Sequence, residues 1–161
     1  MSEAAPEATL RPLVDDPEEI PDDTTIFRRV LSDWVDWSSG QPRAKSIAFQ
    51  DYPKDAAARR GLNGFCMSVG RGGRVHDPAL MVPDYDPAAG VTWFLAQELR
   101  ELRNAAGGPI PQGLMPDPTE AEPWHAVVFS LDGRRKTGAM QSAMALLVRG
   151  RWAVPPGQPS P

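Results

Sequence analysis

Two apolar runs stand out in the hydrophobic pattern of the chain. They are Trp124 to Leu131 (WHAVVFSL) and Gly64 to Val69 (GFCMSV), and turn-forming residues border both of them. Short apolar runs with turn-forming residues at both ends are typical of buried strands. We therefore expect these two segments to form strands in the interior of a sheet.

Two further segments have strand character. In Thr24 to Leu31 (TTIFRRVL), β-branched and aromatic residues follow a period of two, which predicts a strand. The spacing of Ile26, Val30 and Trp34 also fits a short helix, so the sequence leaves both open. Gln112 to Pro118 predicts a short edge strand, because its prolines cannot donate ladder hydrogen bonds.

Helical periodicity is strongest in Pro87 to Ala105, where Asp86 can cap the first turn and Gly107 can end the last. A second amphipathic helix is expected over Arg134 to Arg149. Strands and helices alternate with short connections. The pattern therefore predicts an α+β fold, a small sheet of about four to five strands with two main amphipathic helices.

The domain organisation follows from composition. Residues 1–23 carry eight carboxylates against one arginine and few aromatic residues, which predicts a disordered acidic tail. Residues 24–154 are expected to form a single domain, and 155–161 a flexible, proline-rich end. Within the domain, Lys54 to Arg60 fits one or two helical turns, and Gly70 to Asp86 a long surface loop.

Several classes of function are disfavoured by the sequence. No apolar run approaches the roughly 20 residues that cross a bilayer, and the N-terminus is acidic where a signal peptide is basic, so we expect a cytoplasmic protein without membrane contact. Cys66 is the only cysteine and the two histidines lie far apart, so neither a metal nor a cofactor is expected. Residues 24–161 hold sixteen basic and thirteen acidic residues, too weak a surplus to indicate nucleic acid.

His125 is the first candidate for chemistry. In a strand it shares a face with Val127 and Phe129, which fits a hydrogen-bonded core histidine as well as an acid or base. A catalytic histidine needs a partner, and by residue type the candidates are Ser68, Asp132 and the arginines of the first element. The sequence does not bring them together.

Two basic clusters are candidate anion sites. If Thr24 to Leu31 is a strand, alternation turns either Arg28 or Arg29 toward the core, where a guanidinium must pair or bind an anion. The second cluster, Arg134, Arg135 and Lys136, falls at a predicted helix start, which favours anions. In both cases a solvated basic surface is the alternative.

The order of IFRRVLSDW, KSIAF, GFCMSV and PWHAVVFS resembles that of a set of short bacterial proteins with no assigned activity. That resemblance implies no catalytic residue and no substrate. A looser one is to compact ADP-ribosyltransferase-type domains, in which an arginine on the first strand and a serine on a later strand correspond to Arg28 or Arg29 and to Ser68. The catalytic glutamate of that family has no counterpart on a strand here, since Glu120 and Glu122 fall in a proline-rich loop.

Two hypotheses follow from the sequence. The first is a small accessory or protein-binding module, because five tryptophans exceed what a small core is expected to hold, and exposed tryptophans anchor interfaces. The second is a small enzyme acting on a phosphorylated or nucleotide substrate, with His125 as acid or base. The second hypothesis predicts that His125, Ser68 and one of Arg28 and Arg29 line a single pocket.

Overall fold

The computed structural model describes residues 19–53, 65–132 and 135–157, and within these ranges the chain is mostly sheet. The main sheet has the strand order β7-β8-β5-β1-β6-β9, with every neighbouring pair antiparallel and the short β4 paired with β5. A two-stranded sheet joins β2 to β3. The strands are β1 Thr25–Val30, β2 Val35–Asp36, β3 Arg43–Ala44, β4 Tyr52–Pro53, β5 Phe65–Arg71, β6 Gly90–Leu95, β7 Gln112–Pro116, β8 His125–Ser130 and β9 Trp152–Val154.

The described residues form two α-helices, α1 Ala96–Arg100 and α2 Gly138–Leu147. The hydroxyl of Thr137 caps α2 by accepting from the Met140 amide at 3.3 Å. Short 3-10 turns cover Ser32–Trp34, Ser46–Phe49 and Pro78–Met81. Neither α-helix has the length and apolar character needed to span a membrane.

The predicted α+β fold with two main amphipathic helices is therefore wrong. The first predicted helix, Pro87 to Ala105, is strand β6 over its central part and helix only for the five residues of α1. β6 lies between β1 and β9 and is buried on both faces, with Val91 on one side and Phe94 on the other. A strand covered on both faces is a continuous apolar run, in which helical spacings arise by chance.

Other elements agree with the sequence pattern. The two apolar runs form β5 and β8, the first element is the strand β1, and β7 lies at the sheet edge. The second predicted helix is present as α2, four residues after its expected start at Arg134, which lies outside the described residues. The turns predicted for Lys54 to Arg60 also lie outside them.

The main core lies on one face of the sheet. Ile26, Met67 and Phe94 point into it from three strands, and Met144 of α2 packs over them. Phe49, from a 3-10 turn, meets Phe94 edge to face with ring centroids 5.7 Å apart. Burying each such side chain stabilises the fold by about 2 kcal/mol.

The described chain begins inside the segment predicted to be a tail. Ile20 is fully buried in the main core, and the Gln97 amide donates to the Asp22 carbonyl oxygen at 2.9 Å. The Asp22 carboxylate also pairs with Arg100 at 2.8 Å. Residues 19–23 thus pack against α1, whereas the prediction for residues 1–18 lies outside the described residues.

Candidate functional site

A pocket opens where strands β1 and β5 stop pairing. Their ladder covers only Ile26 with Arg71 and Phe27 with Gly70, although both strands continue beyond it. The resulting space, which we call the β1–β5 pocket, has a volume of about 390 Å³. Its walls are Arg28, Arg29, Leu31, Trp34, Tyr52, Ser68, Val69, Met81, Tyr85, Glu122, Trp124 and His125.

Arg28 fills the gap between the separating strands. Its side chain points to the core face, as strand alternation requires of one of the two arginines, and is 6% exposed. Its Nε donates to the Ala48 carbonyl oxygen at 2.8 Å, and its Nη1 to the Ser68 carbonyl oxygen at 2.9 Å. The guanidinium carbon also lies 5.5 Å from the centre of the Trp34 ring. These contacts hold the guanidinium at a fixed place in the pocket.

The charge of Arg28 is incompletely compensated. Burial lowers the pKa of its guanidinium to about 10, and the Tyr52 and Asp51 side chains oppose this only in part. At neutral pH the side chain therefore remains a cation that is almost completely buried. A buried cation in this state is costly unless a negative group compensates it.

Two buried polar atoms of the pocket lack partners. Among the described residues, neither Nη2 of Arg28 nor Oγ of Ser68 makes a hydrogen bond. Buried donors are almost always satisfied, and each exception calls for an explanation, such as a water, an ion or a catalytic role. Both atoms can donate to an anion, and the contact between Nη1 of Arg28 and the Ser68 main chain keeps the two residues together.

Arg29 reaches the pocket from the other face of β1. Its Nε donates to the carbonyl oxygen of Met81, on the 3-10 turn that forms one wall. Arg28 and Arg29 therefore both line the pocket, along with Ser68 and His125, and the structure brings all four together. Their roles in binding or catalysis remain predictions.

His125 has a partner that the sequence analysis did not identify. Its Nδ1 lies 3.0 Å from the carbonyl oxygen of Asp117 and 3.2 Å from a carboxylate oxygen of the same residue. Asp117 follows β7, and its amide donates to the His125 carbonyl oxygen at 2.9 Å, so it lies opposite His125. Aligning the two predicted strands Gln112 to Pro118 and Trp124 to Leu131 as a hairpin could have revealed this pair.

The second basic cluster does not line the β1–β5 pocket. The ammonium group of Lys136 is buried in an ion pair with Asp51, and its amide donates to the same carboxylate at 2.7 Å. Arg135 is exposed, with its guanidinium 5.7 Å from the centre of the Phe65 ring. Arg134 lies outside the described residues. Since Lys136 already has a counter-ion, we do not include this cluster in the proposed site.

The five tryptophan side chains on which the interface hypothesis rests are neither fully buried nor fully exposed. All five tryptophans are half-buried, and three of them pack against the main core. Trp34 and Trp124 line the β1–β5 pocket. Glu122, from the proline-rich loop before β8, also lines this pocket.

The arrangement combines three chemical capacities: a fixed cation with a free donor, a free hydroxyl, and a histidine oriented by a carboxylate. Among the described residues, no group of three or more His, Cys, Asp or Glu side chains could hold a metal ion. Comparison with known proteins found no matching family model, no matching curated protein and no matching solved structure.

Proposed function

We propose that the chain is a small cytoplasmic enzyme that acts on a phosphorylated or nucleotide substrate in the β1–β5 pocket. The observation that carries this proposal is the buried guanidinium of Arg28, whose Nη2 points to no partner among the described residues. A phosphate or carboxylate oxygen would complete its hydrogen bonding and neutralise its charge. Ser68 supplies a second donor at the same place.

His125 provides the acid–base function in this proposal. Both neighbours of its Nδ1 are acceptors, so Nδ1 carries the proton and Nε2 of the neutral ring is free to accept one. In the reaction, Nε2 takes the proton of an attacking water or hydroxyl group as its oxygen bonds to phosphorus. It returns this proton to the leaving-group oxygen as the bond between that oxygen and phosphorus breaks. Asp117 orients the ring and stabilises the imidazolium that forms.

Anion binding is tested by calorimetric titration with inorganic phosphate. We expect Arg28→Gln to weaken binding at least tenfold, and Arg149→Gln, which removes an exposed arginine outside the pocket, to leave it unchanged. Ser68→Ala serves where Arg28→Gln fails to fold, because the Ser68 hydroxyl makes no hydrogen bond within the described part of the chain. We expect Ser68→Ala to weaken binding several-fold at unchanged stability. Equal binding by all variants would refute the anion site.

Catalysis is tested separately by following a panel of nucleotides and sugar phosphates with phosphorus NMR. We expect wild-type protein to convert at least one of them and His125→Ala to bind it without conversion. If Arg28-dependent binding occurs with no conversion of any compound, the enzymatic part of the proposal is wrong and the pocket only binds its ligand.

We propose docking to another protein as the second candidate function. It is supported by Leu80 and Tyr85, the most exposed of the large apolar side chains described, at 68% and 77%, which lie on the segment beside the pocket. The matched control is Leu146, which is also exposed but lies on α2. We expect Leu80→Asp to abolish association with an identified partner and Leu146→Asp to preserve it. The same loss in both variants would exclude this surface.

A further inference from the structure

Tyr85 has an unusual position for an aromatic side chain. It lines the β1–β5 pocket and is nevertheless 77% exposed, so it stands at the mouth rather than in the interior. An aromatic ring that remains mostly in water contributes little to folding. Its ring face is therefore available to a ligand that enters the pocket.

The segment that carries Tyr85 is held in place. The Asp86 amide donates to the Pro83 carbonyl oxygen at 3.0 Å, which closes a turn around Tyr85. The Asp86 carboxylate accepts from the Ser32 amide at 2.8 Å, just beyond the end of β1. Because Ser32 follows β1, which carries Arg28, this hydrogen bond holds the segment with Tyr85 beside the strand that positions the cation.

The pocket therefore has two different ends. The buried end holds Nη2 of Arg28 and Oγ of Ser68, which have no partner among the residues that the structure describes, and the exposed end presents the ring of Tyr85. Its volume of about 390 Å³ is far larger than a phosphate group and falls within the range of small-molecule sites. A matching ligand has an anionic group at one end and a flat, stackable group at the other.

From this arrangement we propose that the ligand is a nucleotide, with its phosphate at Arg28 and Ser68 and its base stacked on Tyr85. The inference rests on the proposed function and narrows it, because a sugar phosphate has no aromatic base to stack on Tyr85. Stacking of a base on an aromatic side chain increases affinity about tenfold or more.

The test compares ligands that differ only in the base. Calorimetric titrations measure AMP, GMP and UMP against ribose 5-phosphate, which carries the same phosphate without a base. We expect at least one nucleotide to bind wild-type protein about tenfold more tightly than ribose 5-phosphate. Tyr85→Ala should abolish that difference and leave ribose 5-phosphate binding unchanged, whereas Tyr85→Phe should preserve it. The matched control is Leu80→Ala, which removes a side chain that is also mostly exposed but does not line the pocket.

The possible results separate the two proposals. If ribose 5-phosphate binds as tightly as every nucleotide, or if Tyr85→Ala weakens both equally, base stacking is refuted and the phosphorylated substrate stands. If neither nucleotides nor ribose 5-phosphate bind, the proposed function itself fails.

Discussion

His125 and Asp117 are joined twice: Nδ1 of the imidazole lies 3.0 Å from the main-chain carbonyl oxygen of Asp117 and 3.2 Å from its carboxylate. Two acceptors on one ring nitrogen fix the tautomer with the proton on Nδ1. The main-chain acceptor remains after any substitution at position 117, whereas the charged acceptor can be removed.

The first prediction concerns this tautomer. Nitrogen NMR of the neutral His125 ring should show the proton on Nδ1 in wild-type protein and a smaller Nδ1-protonated fraction in Asp117→Ala, in which only the main-chain acceptor remains. We expect Asp117→Ala to cost about 1 kcal/mol in the free energy of unfolding, because one of two acceptors is lost. Asp84→Ala, which removes an exposed carboxylate, should change neither quantity. A wild-type ring protonated on Nε2 would contradict the assigned base.

The sequence predicted those parts of the fold that depend on local pattern. β5 and β8 are short apolar runs, and the period of two in β1 required one of Arg28 and Arg29 to face the core, which in the structure is Arg28. The error at β6 has a physical cause, since its burial on both faces removes the alternation that identifies a strand. Periodicity alone cannot distinguish such a strand from a buried helix.

The candidate site could be predicted only as a set of residue types. Nothing local in the sequence shows that β1 and β5 separate after two residue pairs, yet this separation creates the pocket. The pairing of Asp51 with Lys136, 85 residues apart, likewise follows from the folded topology. The contact between Asp117 and His125 could have been predicted from the sequence, because hairpin register alone places them opposite each other.

The second prediction concerns the pH dependence of anion binding. Sulfate keeps its charge throughout the range from pH 7 to 11, so a change in its affinity reports on the protein. Since burial lowers the pKa of Arg28 to about 10, the cation is present below this value and is lost above it. We expect sulfate affinity to stay constant up to about pH 9 and to fall toward tenfold per pH unit above pH 10.

Calorimetry or NMR titration at several pH values provides this measurement, with Arg149→Gln as the control that removes an exposed arginine outside the pocket. The control should show the same pH profile as wild-type protein. An affinity that stays constant to pH 11 would show that the binding cation is a different group.

The third prediction concerns the buried ion pair of Asp51 and Lys136, whose side chains are fully buried. Burial lowers the pKa of Lys136, and the Asp51 carboxylate opposes this effect. Removing either partner alone leaves an uncompensated buried charge, so we expect Asp51→Asn and Lys136→Met each to cost about 3 kcal/mol or more.

A double-mutant cycle by urea unfolding tests this. The double variant Asp51→Asn with Lys136→Met should be less destabilised than the two single variants added together, by at least 1 kcal/mol. Additive losses would show that the two groups contribute independently.

The fourth prediction concerns Glu98 and Arg151, which join α1 to the residue before β9 through two hydrogen bonds of 2.6 and 2.9 Å. The hydrogen bonds from Arg151 lower the pKa of Glu98, with a smaller contribution from the Leu95 amide, while burial opposes them. A carboxyl group whose pKa is lowered by folding stabilises the protein above its unfolded pKa, and this contribution is lost as the pH falls through the folded value.

We therefore expect Glu98→Gln to lower the free energy of unfolding, measured with urea, by about 1 kcal/mol at pH 7 and by progressively less below pH 4.5. Glu101→Gln removes an exposed carboxylate of the same region and should match wild-type protein at pH 7. A loss in Glu98→Gln that is equal at pH 7 and pH 3 would show that packing of this side chain, and not its charge, stabilises the contact between α1 and the C-terminal strand.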